Sequence, residues 1–420
     1  MGVQQQVPSV LYIVWNEPIW KGVPFTQATE VVCTMQRSRY ANVTLLAFQP
    51  LIHLLLERSE FYQAMARLSD AGVRTYVVPT PFAFSRYMLP RSFLAPLFLC
   101  VMVPFSLLAA WRGADILHPR GYIAALAALI VGRVLRRPFI FDPRSPFPEE
   151  HARAGDWSFG SHHFRLWKWA ERLLLRTAAC AVVTSETFRD DLERVEPNAD
   201  FEIIPNNSSG CRGGGSPSVD GRHRLGLRRN DRVIAYVGSI GKWNDASTYA
   251  VFHKAIVERD SSIRFLYIVP RVCWSRLHRA LATLRVPPQS YRLLSVAPNE
   301  VSSLLSVADV GIQLMAEPDP RLGVKIAEYL VAGLPIVVNE NARGAAALVR
   351  ERSVGLVINL DDSGYPERVV SFLRSSEREH CAVAARLVGT QYTCENVAER
   401  YSAVYWRILN LGLRSRLSGP

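Results

Sequence analysis

From one end of this 420-residue chain to the other, short β-branched and aliphatic runs alternate with longer stretches of helical periodicity. That alternation constrains the fold more than any other feature. The runs are continuous rather than every-second-residue, which is how strands read when helices cover both faces of a parallel sheet. In the first half they are VLYIVW from Val10, VTLLAF from Val43, TYVVP from Thr75, ILH ending at His118, FIFD ending at Asp142 and CAVVTS ending at Ser185. In the second half they are VIAYVGS from Val233, IRFLYIV from Ile263, YRLLSV from Tyr291, VGIQL from Val310, PIVVN from Pro335 and VGLVIN from Val354. Strand and helix in turn imply βαβ units.

Between the two series the chain passes through EIIPNNSSGCRGGGSPSVDG, where glycine and serine break the periodicity. The length exceeds one comfortable core. The expected organisation is therefore an N-terminal Rossmann-like domain at 1–206, a linker at 207–232, a second Rossmann-like domain at 233–395 and a helix at 396–420. That last helix carries an apolar stripe at Val397, Tyr401, Val404 and Ile408, and its position suggests packing back on the first domain.

Charge separates the halves. The first 206 residues hold 21 Lys and Arg against 18 Asp and Glu, a net +3, while the remainder holds 28 against 19, a net +9. The second half is the anion-seeking one. No basic run with interleaved aromatics, no zinc-finger spacing and no RNA-recognition signature is present, so no nucleic-acid partner is expected and a phosphate-bearing small molecule or anionic lipid accounts for the surplus. The seven cysteines are scattered, without a CxxC pair. They predict neither a disulfide framework nor a zinc site and fit a reducing, cytoplasmic setting. The opening MGVQQQVPSV lacks a basic region followed by an apolar core, so no secretory signal is expected.

The most informative segment is RLGVKIAEYLVAGLPIVVN, Arg321 to Asn339. Lys325 and Glu328 lie three apart on one helix face near the helix start; Gly333 and Pro335 then end the helix before a buried strand. Unsatisfied backbone N–H groups and the positive dipole end, with Lys325 beside them, make a cradle for a diphosphate. Glu328, one turn further in, is placed to accept from a ribose diol. A surface ion pair is the alternative reading of the same spacing.

This stretch resembles the donor-site motif of family-4 retaining glycosyltransferases, whose usual form places two glutamates eight residues apart before an A-x-G-x-P turn. The second glutamate matches Glu328; the first falls on Pro320, as in a subgroup with a P-x-K-x-x-E-Y type of sequence. YVGSIGKWND, from Tyr236, resembles the first strand and turn of the donor domain, with Gly238, Ser239 and Gly241 facing the phosphates. Ser239 stands where many members have arginine, and Lys242 is the nearby cation. WKGVPFTQATEVV resembles the acceptor-domain loop, with Gly22 approached by the donor sugar. DILHPRG and FDPRSPFPEE resemble the loops that line the cleft, His118 matching the sugar contact and Asp142 and Arg144 sharing its address.

The resemblance implies the GT-B fold: two α/β Rossmann-like domains whose parallel sheets face a central cleft. It also implies transfer from a nucleotide-diphosphate sugar with retention, catalytic roles for His118, Lys325 and Lys242, and donor contacts that include Arg321. Glu317 or Asp319 is the nearest carboxylate to replace the missing glutamate. There is no Asp-x-Asp pair, so no metal and no cofactor are expected, and cations and helix ends must meet the charge of the leaving group. Two rivals keep the same fold, a nucleotide-sugar 2-epimerase and a catalytically silent partner protein. A nicotinamide dehydrogenase is disfavoured because neither glycine turn forms G-x-G-x-x-G.

Location is the last expectation. Ser92 to Trp111 is an uncharged stretch of about bilayer-spanning length, but Pro96 and Pro104 interrupt it. A buried or interfacial helix pair is preferred to a span. With Arg86, Arg91 and Arg112 bracketing it, the stretch points to a peripheral enzyme on the inner face of the plasma membrane, acting on a lipid-linked acceptor.

Overall fold

A computed structural model describes residues 7–80, 91–209, 219–228, 230–241 and 244–417. The chain divides into two compact units, one of residues 1–204 and 394–420, the other of 205–393.

In the first unit, β1 (Ser9–Trp15), β2 (Asn42–Pro50), β3 (Arg74–Thr80) and β4 (Ile116–Arg120) form a parallel sheet in the order β3-β2-β1-β4. A second parallel sheet has the order β5 (Ile140–Phe141), β6 (Cys180–Val183), β7 (Phe201–Ile203). Bridges Leu117↔Phe139 and Arg120↔Asp142 connect the two. Strands β1, β4, β5 and β6 are buried almost throughout, which is why their sequences do not alternate. The observed β4 runs two residues beyond His118, to Arg120.

The crossover helices include α1 (Val31–Arg37), α2 (Arg58–Asp70), α3 (Arg91–Trp111), α4 (Tyr122–Leu135) and α5 (His162–Thr177). Helix α4 buries Ala124, Ala125, Ala127 and Ala128, small residues that let it lie close on the sheet. The helix Cys394–Leu417 belongs to this unit: its stripe Val397, Tyr401, Val404 and Ile408 is buried, and Ser402 Oγ donates to Tyr40 O at 3.0 Å.

The stretch expected to break at its prolines is one helix, α3, with Pro96 and Pro104 inside it. An internal proline deletes one backbone bond, and burial of Phe98, Met102, Ala109 and Ala110 on the sheet side holds the helix together nonetheless. Its other face is open: Leu97, Phe105, Leu108 and Trp111 are exposed, Trp111 by 79%. Ile130 and Val134 of α4, which packs on α3, and Leu166 and Trp169 of α5 are exposed as well. The charged residues exposed on these three helices are all arginines, and their one acidic residue, Glu171, is buried. Among the described residues no helix is long and apolar enough to cross a membrane.

The second unit is a six-stranded parallel sheet, β8 (Arg232–Val237), β9 (Ile263–Ile268), β10 (Tyr291–Leu294), β11 (Val310–Gln313), β12 (Ile336–Asn339) and β13 (Gly355–Ile358), in the order β10-β9-β8-β11-β12-β13. The order reverses between β8 and β11, and such a switch point opens a crevice at the strand C-termini. Helix α6 (Val324–Val331) is fixed there through Tyr329. Gly311 in β11 leaves room for that ring, since a Cβ there would lie 2.4 Å from it. The Tyr329 hydroxyl accepts from Val237 N and donates to Ile312 O, both at 3.0 Å. One side chain thus ties α6 to the two strands flanking the switch point.

Candidate functional site

In the second unit the strand C-termini bring four segments together. Helix α6 begins at Gly323, whose lack of a side chain leaves the first turn uncapped and without an acidic residue, so its N–H groups and dipole are available to an anion. Gly323 lies close to Gln313: an added Cβ would come 2.8 Å from Gln313 Oε1, the end of that side chain. Gln313, at the end of β11, is buried, and that oxygen has no hydrogen-bond partner among the described residues. An unpaired buried acceptor is costly.

Lys325, in the first turn of α6, reaches back across β8. Its Nζ donates to Asn244 Oδ1 at 2.5 Å and to Tyr236 Oη at 3.3 Å and sits 4.5 Å from the centre of the Tyr236 ring. None of these partners carries a negative charge. Burial therefore pushes the Lys325 amine down to about 7, and the charge of Asp319 opposes that only in part. Gly238 completes this wall: its φ of +120° is one that glycine tolerates, and an added Cβ would lie 3.6 Å from Lys325 Cε. Ser239 is exposed, its carbonyl receiving the Tyr236 hydroxyl at 2.8 Å. Gly241 donates its N–H to Asn244 O at 3.0 Å. Lys242 lies outside the described residues, as does Arg86.

Lys325 and Glu328 do not pair with each other. Glu328 is buried, and both carboxylate oxygens are engaged by the chain that follows β7: Oε2 accepts from Ser208 Oγ and Oε1 from Ser209 N, each at 2.7 Å. A carboxylate has about four acceptor positions, so a diol can add to this set. Arg321, expected at the donor, is clasped by Asp319, Nε donating to Oδ1 at 2.9 Å and Nη2 to Oδ2 at 2.7 Å. Asp319 in turn is fixed from its backbone to Asn341 O at 2.8 Å.

In the first unit, Gly22 has φ +62° in open space, so backbone conformation and not crowding calls for glycine. It precedes a π-helical turn, Phe25–Glu30, that carries Gln27. His118 does not reach the surface. The register sets it beside Tyr12, its Nδ1 is 2.6 Å from Tyr405 Oη, its Nε2 is 3.5 Å from Asp142 Oδ2, and Tyr401 covers the ring at 5.0 Å. Burial lowers its basicity, against the pull of Asp142. The histidine expected to touch a sugar is an interior group here, because the C-terminal helix covers its side of β4. Arg120, two residues on and hence on the same side of the strand, lies nearer the open end.

Asp142 is buried, which by itself would raise its pKa, but Arg144 first and then His118 and Arg120 hold it below the usual carboxylate range. Arg144, at φ +60°, a costly conformation for a branched-free long side chain, donates to Asp142 Oδ1 at 3.3 Å and also to Gln27 Oε1. Arg120 shares the Gln27 acceptor at 2.8 Å and donates to Glu17 Oε2 at 2.5 Å. Asp142 and Arg144 are therefore linked, as their spacing allowed, within a chain of charges that ends at the half-buried Glu17. Sequence reasoning missed Asn244, Gln313, Ser208 and Gln27. Gln313 had a signal, a polar residue closing an otherwise apolar buried run; Ser208 and Gln27 had none.

Residues 26–207 match the family model described as a glycosyl transferase 4-like domain. No curated protein matches the chain in sequence. Solved structures do match in shape. HepE of Anabaena, in complex with UDP and glucose, superposes with a TM-score of 0.64 at 15% identity, covering 95% of this chain and 99% of that one. Sucrose-phosphate synthase of Thermosynechococcus elongatus gives 0.68 at 15% identity, with 96% and 100% covered. WaaG, a glycosyltransferase involved in lipopolysaccharide biosynthesis, gives 0.64 at 13%, with 94% and 99% covered. At these identities the likeness shows the fold: two α/β domains with parallel sheets, the GT-B architecture.

Proposed function

We propose that this chain is a glycosyltransferase that takes its sugar from a nucleotide-diphosphate sugar bound at the strand C-termini of the second unit. The observation that carries the reading is the poised Lys325: an amine whose hydrogen-bond partners among the described residues are neutral, beside an uncapped helix start and the Gly238 turn. A diphosphate supplies the missing negative charge, and the N–H groups of α6 supply hydrogen bonds to its oxygens. Glu328, anchored by Ser208 and Ser209, orients the ribose. As the glycosidic bond breaks, charge accumulates on the leaving diphosphate, and fixed donors aimed at that charge lower the barrier. The resemblance to family-4 enzymes supports retention of configuration. The lack of an Asp-x-Asp pair supports a reaction without a divalent metal, its place taken by Lys325 and α6.

The first unit is assigned to the acceptor. Its exposed apolar and arginine-bearing face on α3, α4 and α5 supports peripheral attachment to anionic membrane, and hence a lipid-linked acceptor at the cytoplasmic surface. His118 and Asp142 act in this reading as a positioning pair that fixes β4 and β5 beneath Arg120 and Arg144. A thermal-shift panel of nucleotide-diphosphate sugars is the direct test. One or more donors should stabilise the wild type and leave Lys325→Met unmoved; a panel in which no donor shifts the wild type refutes the reading.

A further inference from the structure

The edge of the first unit's sheet opposite the strand C-termini holds a cavity of about 450 Å³ that the proposed reaction does not use. It lies at the N-terminal ends of β1, β2 and β3 and is bounded by the last turn of α3; Asn42, Thr44, Ser69, Arg74, Tyr76 and Arg112 give it its polar wall. Arg112 Nη1 donates to Tyr76 Oη at 2.8 Å with its guanidinium 5.7 Å from the ring centre. Among the described residues neither Arg74 nor Arg112 is paired with a carboxylate, and both are exposed. The nearby Asp115 is already committed, its carboxylate accepting from Ser9 N at 3.1 Å and lying 3.7 Å from Arg137. Helices α2 and α3 end at this edge, so their negative dipole ends oppose an anion. Those ends carry about half a charge each, and the carbonyls of Arg67, Ser69 and Ala110 there already accept from the amides of Ala71, Gly72, Gly113 and Ala114. Two full guanidinium charges outweigh them.

Ala109 and Arg112 of the cavity wall flank the exposed Trp111 in sequence, so the cavity lies at the end of the apolar face. Leu108 in the last turn of α3 and Trp111 at its end are exposed, and Arg112 follows directly. An amphiphile whose chains lie along Leu108 and Trp111 carries its polar end to Arg112 and Arg74. The geometry points to a binding site for the phosphate ester of an anionic phospholipid headgroup, with both arginines and the Tyr76 hydroxyl contacting the phosphate. This rests on the membrane reading above for the source of the phosphate.

The test compares binding to phosphatidylglycerol and phosphatidylcholine vesicles, with soluble glycerol phosphate as a second probe. Three proteins are used: wild type, Arg74→Gln/Arg112→Gln and Arg133→Gln/Arg165→Gln. The last removes the same charge from α4 and α5, away from the cavity. Loss of two arginines costs either variant roughly thirtyfold on anionic vesicles through charge alone. The cavity variant should fall at least about another tenfold through lost charge-assisted hydrogen bonds, while its turnover of donor with a water-soluble acceptor is unchanged. If both variants weaken equally, the cavity proposal is overturned and the membrane reading stands. Binding of glycerol phosphate that depends on Arg74 and Arg112, with no vesicle binding by the wild type, overturns the lipid occupant and the membrane reading together. No binding of either probe by the wild type overturns both as well.

Discussion

Replacing Lys325 with methionine isolates the electrostatic step of donor binding. Burial pushes the amine down to about 7 from an ordinary 10.5, and at about 1.4 kcal/mol for each tenfold in proton affinity, holding it charged costs roughly 5 kcal/mol at most. Partial solvent contact reduces this to a few kcal/mol. At pH 8 only about a tenth of empty sites carry the proton. A diphosphate favours the charged form and raises the pKa again, so binding at pH 8 should take up nearly one proton, and almost none at pH 6. Affinity should be highest below pH 7 and fall by at most about tenfold per pH unit above it. The sign for stability is opposite. Between about pH 7 and 10.5 the unfolded chain binds more protons than the folded one, so stability of the empty protein rises with pH through that window, and the penalty is complete below it. Lys325→Met should therefore melt several degrees higher than wild type at pH 7, yet bind the donor about 10²-fold more weakly. Calorimetry in buffers of different ionisation enthalpy measures the proton uptake directly. Equal uptake by wild type and Lys325→Met, or none at pH 8, would refute the reasoning.

Glu328→Gln should weaken donor binding by about tenfold or more and cost roughly 1–3 kcal/mol of stability, because the Ser208 hydroxyl and Ser209 amide lose charged acceptors; titration and thermal melting separate the two effects. Gly238→Ala should destabilise by about 1 kcal/mol or more through the strain of φ +120° alone, since its Cβ would meet Lys325 Cε at an ordinary contact distance of 3.6 Å, seen as a lower melting temperature with the pH profile of binding unchanged. Asp142→Asn removes one member of a buried charge network and should cost about 3–5 kcal/mol while leaving nucleotide affinity at the second unit unchanged; a parallel loss of affinity counts against separate roles. Transfer should persist in excess EDTA, and complete loss restored by Mg²⁺ would contradict the metal-free assignment.

The sequence by itself determined the layered α/β architecture. Strands covered on both faces must be apolar throughout, so each buried run, from Val10 to Val354, was visible without its neighbours, and local spacing was enough to place Lys325 and Glu328 on one side of a helix. Local spacing could not say where those side chains point. Lys325 turns to Asn244, 81 residues away in sequence, and Glu328 to Ser208, 120 residues away, because Tyr329 fixes the rotation of α6 against β8 and β11. The interior position of His118 was equally illegible: Tyr401 and Tyr405 come from the far end of the chain, and a strand-end histidine reads the same whether a ligand or a tyrosine covers it. Periodicity records which face of an element is apolar, a property of near neighbours. The partner of a polar side chain is chosen by whichever distant segment the packed core brings within 3 Å, and only the tertiary structure makes that choice.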